Sequence, residues 1–314
     1  MQNYIIEAIQ SRRGLVLYEE TFILPGSHGD HRVLVFPLQG PRIREYHRKK
    51  PAATRILAAS QVLQALNQLH NIGVVHRDVT SSNVLYSFHL VEQDDPTLRY
   101  QYIGRPRKML LESAQWKKGE LVMPMQADRS FRESMVGDTV SLGDFGIAIK
   151  AGTPVKRKFL KPAIYCAPEV LHGADPSFAS DMWSYMCLFA ELYCARALFS
   201  GAGNSDVLSC TVDTLGPLPE TWKGRYEAGG PGDDRWYDRS QRPEPTMNLE
   251  SKIAKYRPDA SLAERELVVS VLRRGLAYLP EERPAAEQLL DDTSFQALME
   301  ICRRQATSDR PIKG

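Results

Sequence analysis

The sequence predicts an α+β domain in which the helical part dominates. Three observations point there. Two short runs of branched and aromatic residues lie near the start, at 15–18 and 32–36. Apolar residues then recur at helical spacing over 52–70. A strongly apolar stretch over 178–198 is followed by further helical segments to about 302. Strands gathered at one end and helices after them do not make an alternating βαβ pattern.

The elements follow in order. Leu15, Val16, Leu17 and Tyr18 suit one strand and Arg32, Val33, Leu34, Val35 and Phe36 another, with Pro25, Gly26, Ser27, His28, Gly29 and Asp30 carrying turn chemistry between them. In the helix over 52–70, Ile56, Ala59, Leu63, Leu66 and His70 share a face, and Gly73 stands just past the end. Short strands are expected around Val74, around Val84 to Tyr86 and around Val140 to Leu142. The polar, irregular stretch over 87–138 between two of them is long for a loop and reads as an insertion. Over 178–198 the apolar residues Met182, Trp183, Met186, Phe189, Ala190 and Tyr193 cover most of the circumference, so this helix should be buried. Residues 224–249 read as a surface loop, and 261–302 as several helices punctuated by Pro280 and Pro284.

Composition narrows the function classes. Hydrophobic residues make up 43% and charged residues 25%, enough for a proper core, while a net charge of +2 sets up no global field for nucleic acid or anionic membrane. No run approaches the roughly 18 apolar residues of a membrane span, and the start lacks signal-peptide character. The five cysteines form no CxxC pair, which suits reduced, mostly buried thiols in the cytosol or nucleus.

Chemistry concentrates in three motifs. In His76-Arg77-Asp78-Val79-Thr80-Ser81-Ser82-Asn83, Asp78 can orient or accept a hydroxyl proton while Asn83 offers a neutral oxygen to a metal. Taken alone, the same residues fit an ordinary polar loop. Asp144-Phe145-Gly146 joins a carboxylate suited to Mg²⁺, an apolar anchor and a permissive glycine, although many strands end this way. Ala167-Pro168-Glu169 is followed by Asp181 and, much later, by Arg283; Glu169 and Arg283 can form a buried ion pair, which more often fixes architecture than does chemistry.

The ordered set HRDxxxxN, DFG and APE resembles the signature of eukaryotic protein kinases. The resemblance runs from about Leu15 to Leu298 and implies a kinase-like fold: a shortened N-lobe and hinge over 1–40, a complete, mainly helical C-lobe over 41–302 and a tail over 303–314. It further implies Asp78 as catalytic base, Asn83 and Asp144 as Mg²⁺ ligands, and Arg77 as the cation that reads the activation segment. Asp181 would brace the catalytic loop, Glu169 and Arg283 would pair beneath the segment, and Phe36, Leu38 and Leu85 would contact ATP, with Phe36 as gatekeeper. The insertion between Asn83 and Asp144, the segment over 161–169 and the run over 31–36 resemble fungal members of the SR-protein kinase group, although Cys166 stands where that group usually has Arg. The chain itself is expected to be a monomer, and that likeness implies Arg/Ser-rich protein substrates. Such polycations would need an acidic docking groove, and Asp233, Asp234 and Asp238 read instead as solvated loop charges.

Two departures weaken the expected chemistry. No GxGxxG is present and the first lysine is Lys49, already past the hinge, so no residue here fills the place of the phosphate-binding strand lysine. Glu7 is a candidate for that lysine's ion-pairing partner, and any exposed helical Glu would look the same. The family's lysine two positions after the catalytic Asp is Thr80, whose hydroxyl cannot replace a full charge on the transferring phosphoryl group. Weak Mg-ATP binding is therefore expected. Thr153, followed by Pro154 and near Lys156, Arg157 and Lys158, could carry a phosphate that orders the segment, or could sit in an unmodified loop. Three functions remain open: a serine/threonine kinase, a pseudokinase serving as a binding or scaffold module, and a small-molecule phosphotransferase. The last is disfavoured by the Glu169 and Arg283 pattern.

Overall fold

The computed structural model describes residues 1–26, 29–88, 107–111, 119–123, 135–158, 161–229, 232–240 and 244–308. The chain opens with α1 (Gln2–Ala8), then β1 (Glu20–Gly26) and β2 (Gly29–Val35), an antiparallel pair in register from Glu20↔Val35 to Gly26↔Gly29. The expected hairpin therefore exists, with Ser27 and His28 outside the described residues. Its first strand begins two residues beyond the expected 15–18 run. Leu15 instead makes an isolated parallel bridge to Leu142, and Val16 N–H donates to Leu142 O at 2.9 Å, so this stretch is tied to the helical body. Among the described residues no further strand joins β1 and β2, and their side chains are exposed save for a half-buried Val33.

A short α2 (Ile43–Tyr46) leads into α3 (Ala52–Asn71), whose observed span matches the helical repeat almost to the residue. Gly73 turns the chain at φ +76°, a conformation glycine adopts without penalty. Next come β3 (Val74–Val75) and β4 (Val84–Phe88), then β5 (Arg107–Leu111), β6 (Gly119–Met123), β7 (Val136–Leu142) and β8 (Ile149–Lys150). The pairs β3 with β8 and β4 with β7 are antiparallel. The stretch expected to be an irregular insertion over 87–138 contains a hairpin, β5 paired with β6, and contributes the ends of β4 and β7; its remainder lies outside the described residues.

Helices then build the body: α4 (Pro168–Leu171), α5 (Phe178–Cys194), α6 (Asn204–Leu215), α7 (Leu249–Tyr256), α8 (Leu262–Gly275), α9 (Ala286–Leu290) and α10 (Thr293–Ser308). The tail expected over 303–314 is helical as far as Ser308, and 309–314 lie outside the described residues. Helix α3 packs on α5, α9, α10 and β7 in one continuous apolar core. Every residue of α5 from Ser180 to Cys194 is buried. At the α5–α8 crossing a Cβ on Gly275 would lie 2.4 Å from Met186 Cγ, so only glycine permits this approach. The loop over 224–249 is not wholly a surface feature, since Trp236 and Tyr237 are buried in a short 3-10 turn.

Both ends of α5 are fixed chemically. Ser177 caps its start, accepting from Ser180 N–H at 3.3 Å and donating its own N–H to Ser180 Oγ at 2.9 Å. Its end meets three cations: Arg55 Nε donates to Leu192 O at 2.6 Å, Arg257 to Tyr193 O at 3.3 Å and Arg48 to Ala195 O at 3.1 Å. The helix stops at Cys194, four residues short of the expected 198, because Ala195 turns left-handed at φ 55°. A non-glycine residue there carries about 1 kcal/mol of strain. Ala195→Gly is accordingly expected to raise the urea midpoint by an amount equivalent to about 0.5–1 kcal/mol. A lower midpoint would show that the Ala195 methyl contributes more than its strain costs.

Candidate active site

The site is organised from beneath by Asp181 in the first turn of α5. Its carboxylate is fully buried and accepts the His76 N–H at 2.6 Å, the Arg77 N–H at 2.8 Å and a contact from His70 Nε2 at 3.3 Å. These bonds hold the loop after β3 in a shape it would not otherwise keep, with Arg77 at φ 70°. Burial alone would push the Asp181 carboxyl up. The hydrogen bond and charge of His70, with the charge of Lys161, outweigh it and hold the carboxyl below its ordinary range.

His76 connects the two halves of the site. Its Nδ1 accepts the Asp78 N–H at 3.2 Å and its Nε2 lies 3.0 Å from Gly143 O, which requires a neutral ring with the proton on Nε2. Burial lowers its proton affinity, against the opposing influence of Asp181 and the Gly143 carbonyl. Gly143 N–H donates in turn to Asn83 O at 2.8 Å, and Asn83 Nδ2 donates to Asp78 Oδ2 at 2.7 Å and Asp78 O at 2.9 Å. Asp78, Asn83 and the residue before Asp144 are thus linked in one hydrogen-bonded ring. Asp78 Oδ1 is buried with no partner among the described residues, an unused acceptor in the loop. Asp144 is exposed and left-handed at φ 62°, its Oδ1 accepting Gly146 N–H at 3.2 Å, while Phe145 is buried against His76.

The donor set fits Mg²⁺. One exposed carboxylate at Asp144 and the amide oxygen of Asn83, whose nitrogen is already committed to Asp78, are hard oxygen ligands of the kind that hold Mg²⁺ together with phosphates and water.

The other expected residues fall as follows. Arg77 donates to Ile147 O at 3.1 Å and Arg157 O at 2.6 Å, so it grips the backbone of the segment after Asp144, while Thr153 is exposed. Thr80 is buried. Arg283 and Glu169 form a two-pronged pair at 2.6 and 2.7 Å, with side chains 0% and 6% exposed. Leu85 is half-buried, and a Cβ on Gly143 would meet its side chain and Val16. Phe36 and Leu38 are 42% and 47% exposed and Glu7 is exposed, so these three stand on the surface instead of in an enclosed pocket.

Sequence reading missed one cluster. Glu191, inside α5, accepts from Ser81 Oγ at 3.0 Å and from the Tyr165 hydroxyl, which itself lies 2.8 Å from Ser81 Oγ. The clue was available: an acid ten residues after Asp181 in an otherwise apolar helix needs buried donors. This cluster fastens the catalytic loop to the segment before Ala167.

Protonation sets the pH behaviour. His76 and His172 hold their protons less tightly in the fold than at the ordinary value of 6.5, both mainly through burial. Below that value the unfolded chain binds more protons, so stability is expected to fall as pH drops from about 6.5 through the lower folded values. Asp181 has the depressed carboxyl; its contribution is present above the ordinary 3.8 and is lost as pH falls through its folded value. Urea midpoints measured from about pH 7.5 down to about pH 5.5 should decline. A midpoint that rises toward acid would contradict the neutral, buried His76.

With this geometry in place, comparison with known proteins gives the class. The protein kinase domain family matches residues 125–295, more than half of the chain, including Asp144, Glu169, Asp181 and Arg283. The chain belongs to the protein kinase family. It is similar to the serine/threonine-protein kinase AFC3 of Arabidopsis thaliana, 25% identical over 284 residues covering 85% of this chain and 64% of that protein. It is also similar to cyclin-dependent kinase G-1 of Oryza sativa subsp. indica, 27% identical over 76% of this chain and 27% of that protein. The chain therefore spans less than two-thirds of either relative. A solved kinase domain, PF14_0431, has the same fold at a TM-score of 0.60 and 19% identity, covering 94% of this chain and 82% of that one.

Proposed function

We propose that this chain transfers a phosphoryl group from Mg-ATP to serine or threonine hydroxyls of proteins. The observation that carries the reading is the hydrogen-bonded ring joining Asp78, Asn83 and the Gly143–Asp144 turn, which leaves Asp78 Oδ1 without a partner among the described residues. In this reading Asp78 orients the hydroxyl and takes its proton. Asn83 and Asp144 would hold Mg²⁺, which would supply charge neutralisation on the phosphates. Leu85, beside Gly143, would contact the nucleotide, together with the exposed Phe36 and Leu38. Arg77 steadies the activation segment, and a phosphate on exposed Thr153 would add a charged partner for the cations there.

The finer placement, an SR-protein kinase-like lineage with a monomeric chain in the cytosol or nucleus, is supported by the motif likeness and by five free cysteines. That lineage would bring Arg/Ser-rich proteins as substrates. A second reading, a pseudokinase acting as a scaffold, is favoured by Thr80 and by the open faces of the β1–β2 hairpin. Incubation with Mg²⁺ and γ-labelled ATP separates them. The kinase reading expects label on serine or threonine that depends on Asp78, and the scaffold reading expects none.

A further inference from the structure

We propose that the site around Asp78 accepts serine or threonine set in anionic sequence, acidic or already phosphorylated, in preference to Arg/Ser-rich segments. The inference rests on the phosphotransfer reading and departs from the substrate that the lineage would bring.

Cations flank the catalytic loop on both sides. On one side, Arg44 N–H donates to Ser81 O at 3.0 Å and its exposed guanidinium reaches to 3.5 Å from Ser82 Oγ. Arg42, equally exposed, is bridged to Leu85 at the end of the same loop. On the other side runs the segment that Tyr165 fastens to Ser81. Residues 145–168 contain Lys150, Lys156, Arg157, Lys158 and Lys161 and no acid. Lys161 donates to Ser184 Oγ in the helix beneath and acts electrostatically on both His76 and Asp181. Arg157 has its carbonyl pinned by Arg77 while its side chain is exposed.

Several nearby acids are already engaged, Asp175 by Lys158 itself, while Asp144 and Glu227, the latter against Gly173 beside Lys158, stay exposed. Both oxygens of Glu191 accept hydroxyls, Asp181 is buried under the loop, and Asp175 lies 3.9 Å from Lys158. Glu45, exposed beside Arg44 on α2, is outweighed there by Arg42 and Arg44. A chain that is nearly neutral overall thus presents a cationic rim where a peptide must lie. Such a rim attracts carboxylate or phosphate side chains and repels arginine.

The test uses the full chain and three fluorescent serine peptides: one flanked by glutamate, one by phosphoserine, one an Arg-Ser repeat. Fluorescence anisotropy gives binding, and γ-labelled ATP gives transfer. At least one anionic peptide should bind about tenfold or more tightly than the repeat. Arg44→Glu should shrink that ratio by about tenfold, and Arg303→Glu, at an exposed position of α10, should leave it unchanged. Binding of the phosphoserine peptide alone would assign the site to primed substrates, and binding of both to acidic ones; either upholds the proposal. Equal or tighter binding of the repeat, no binding of any peptide, or a ratio untouched by Arg44→Glu would overturn it. Anionic preference without transfer would uphold it while defeating the phosphotransfer reading; transfer to the repeat would do the reverse.

Discussion

Asp78→Asn is expected to lower phosphoryl transfer by about 10²–10⁴-fold, the usual contribution of a positioned general base, with the melting temperature unchanged. The substitution is isosteric, and an asparagine oxygen can still accept from Asn83 Nδ2 where Asp78 Oδ2 does now. The catalytic loop should keep its shape, because Asp181 grips the N–H groups of His76 and Arg77, not Asp78 itself. What is lost is the negative acceptor at Oδ1, the one buried carboxylate oxygen of the loop without a partner. Paired measurements of transfer and melting decide the matter. Unchanged transfer would remove Asp78 from the chemistry, and a wild-type chain that labels no protein would leave the scaffold reading standing.

Glu169→Gln is expected to destabilise the fold by about 3–5 kcal/mol, because removing one partner leaves a buried guanidinium uncompensated. Arg283 has no route to water: its side chain is 0% exposed, stacked over Trp183 at 5.0 Å and donating to the carbonyls of Ala277, Ala179 and Tyr278 as well as to both oxygens of Glu169. Arg283→Met should cost less than Glu169→Gln, since the unpaired group would then be a carboxylate at the edge of α4 that can take up a proton. Urea unfolding of both single variants checks the order. A loss of under about 1 kcal/mol for Glu169→Gln would place the pair among solvent-screened bridges.

Much of this site could be read along the chain. Asp78, Asn83, Asp144 and Glu169 stand in short local motifs, and a motif is visible wherever a few neighbouring residues must hold fixed roles. Helix α3 was legible because its apolar residues repeat every turn over its full length. The Glu191 cluster and the placement of Arg44 and Lys161 were not legible, because their partners lie 23 to 110 positions apart.

The sequence by itself determined the α+β class, the helical face of α3, the buried character of α5 and which residues stand as candidates to bind metal and take a proton. Local spacing and side-chain chemistry suffice for these. Only the tertiary structure decided where α5 ends, which depends on arginines brought from three distant segments to its last carbonyls. It alone decided that residues 15–16 join β7, and that the loop around Asp78 is held from below by one buried carboxylate. Such outcomes depend on which groups meet across the core, and burial makes those meetings strong because water no longer competes for the charges.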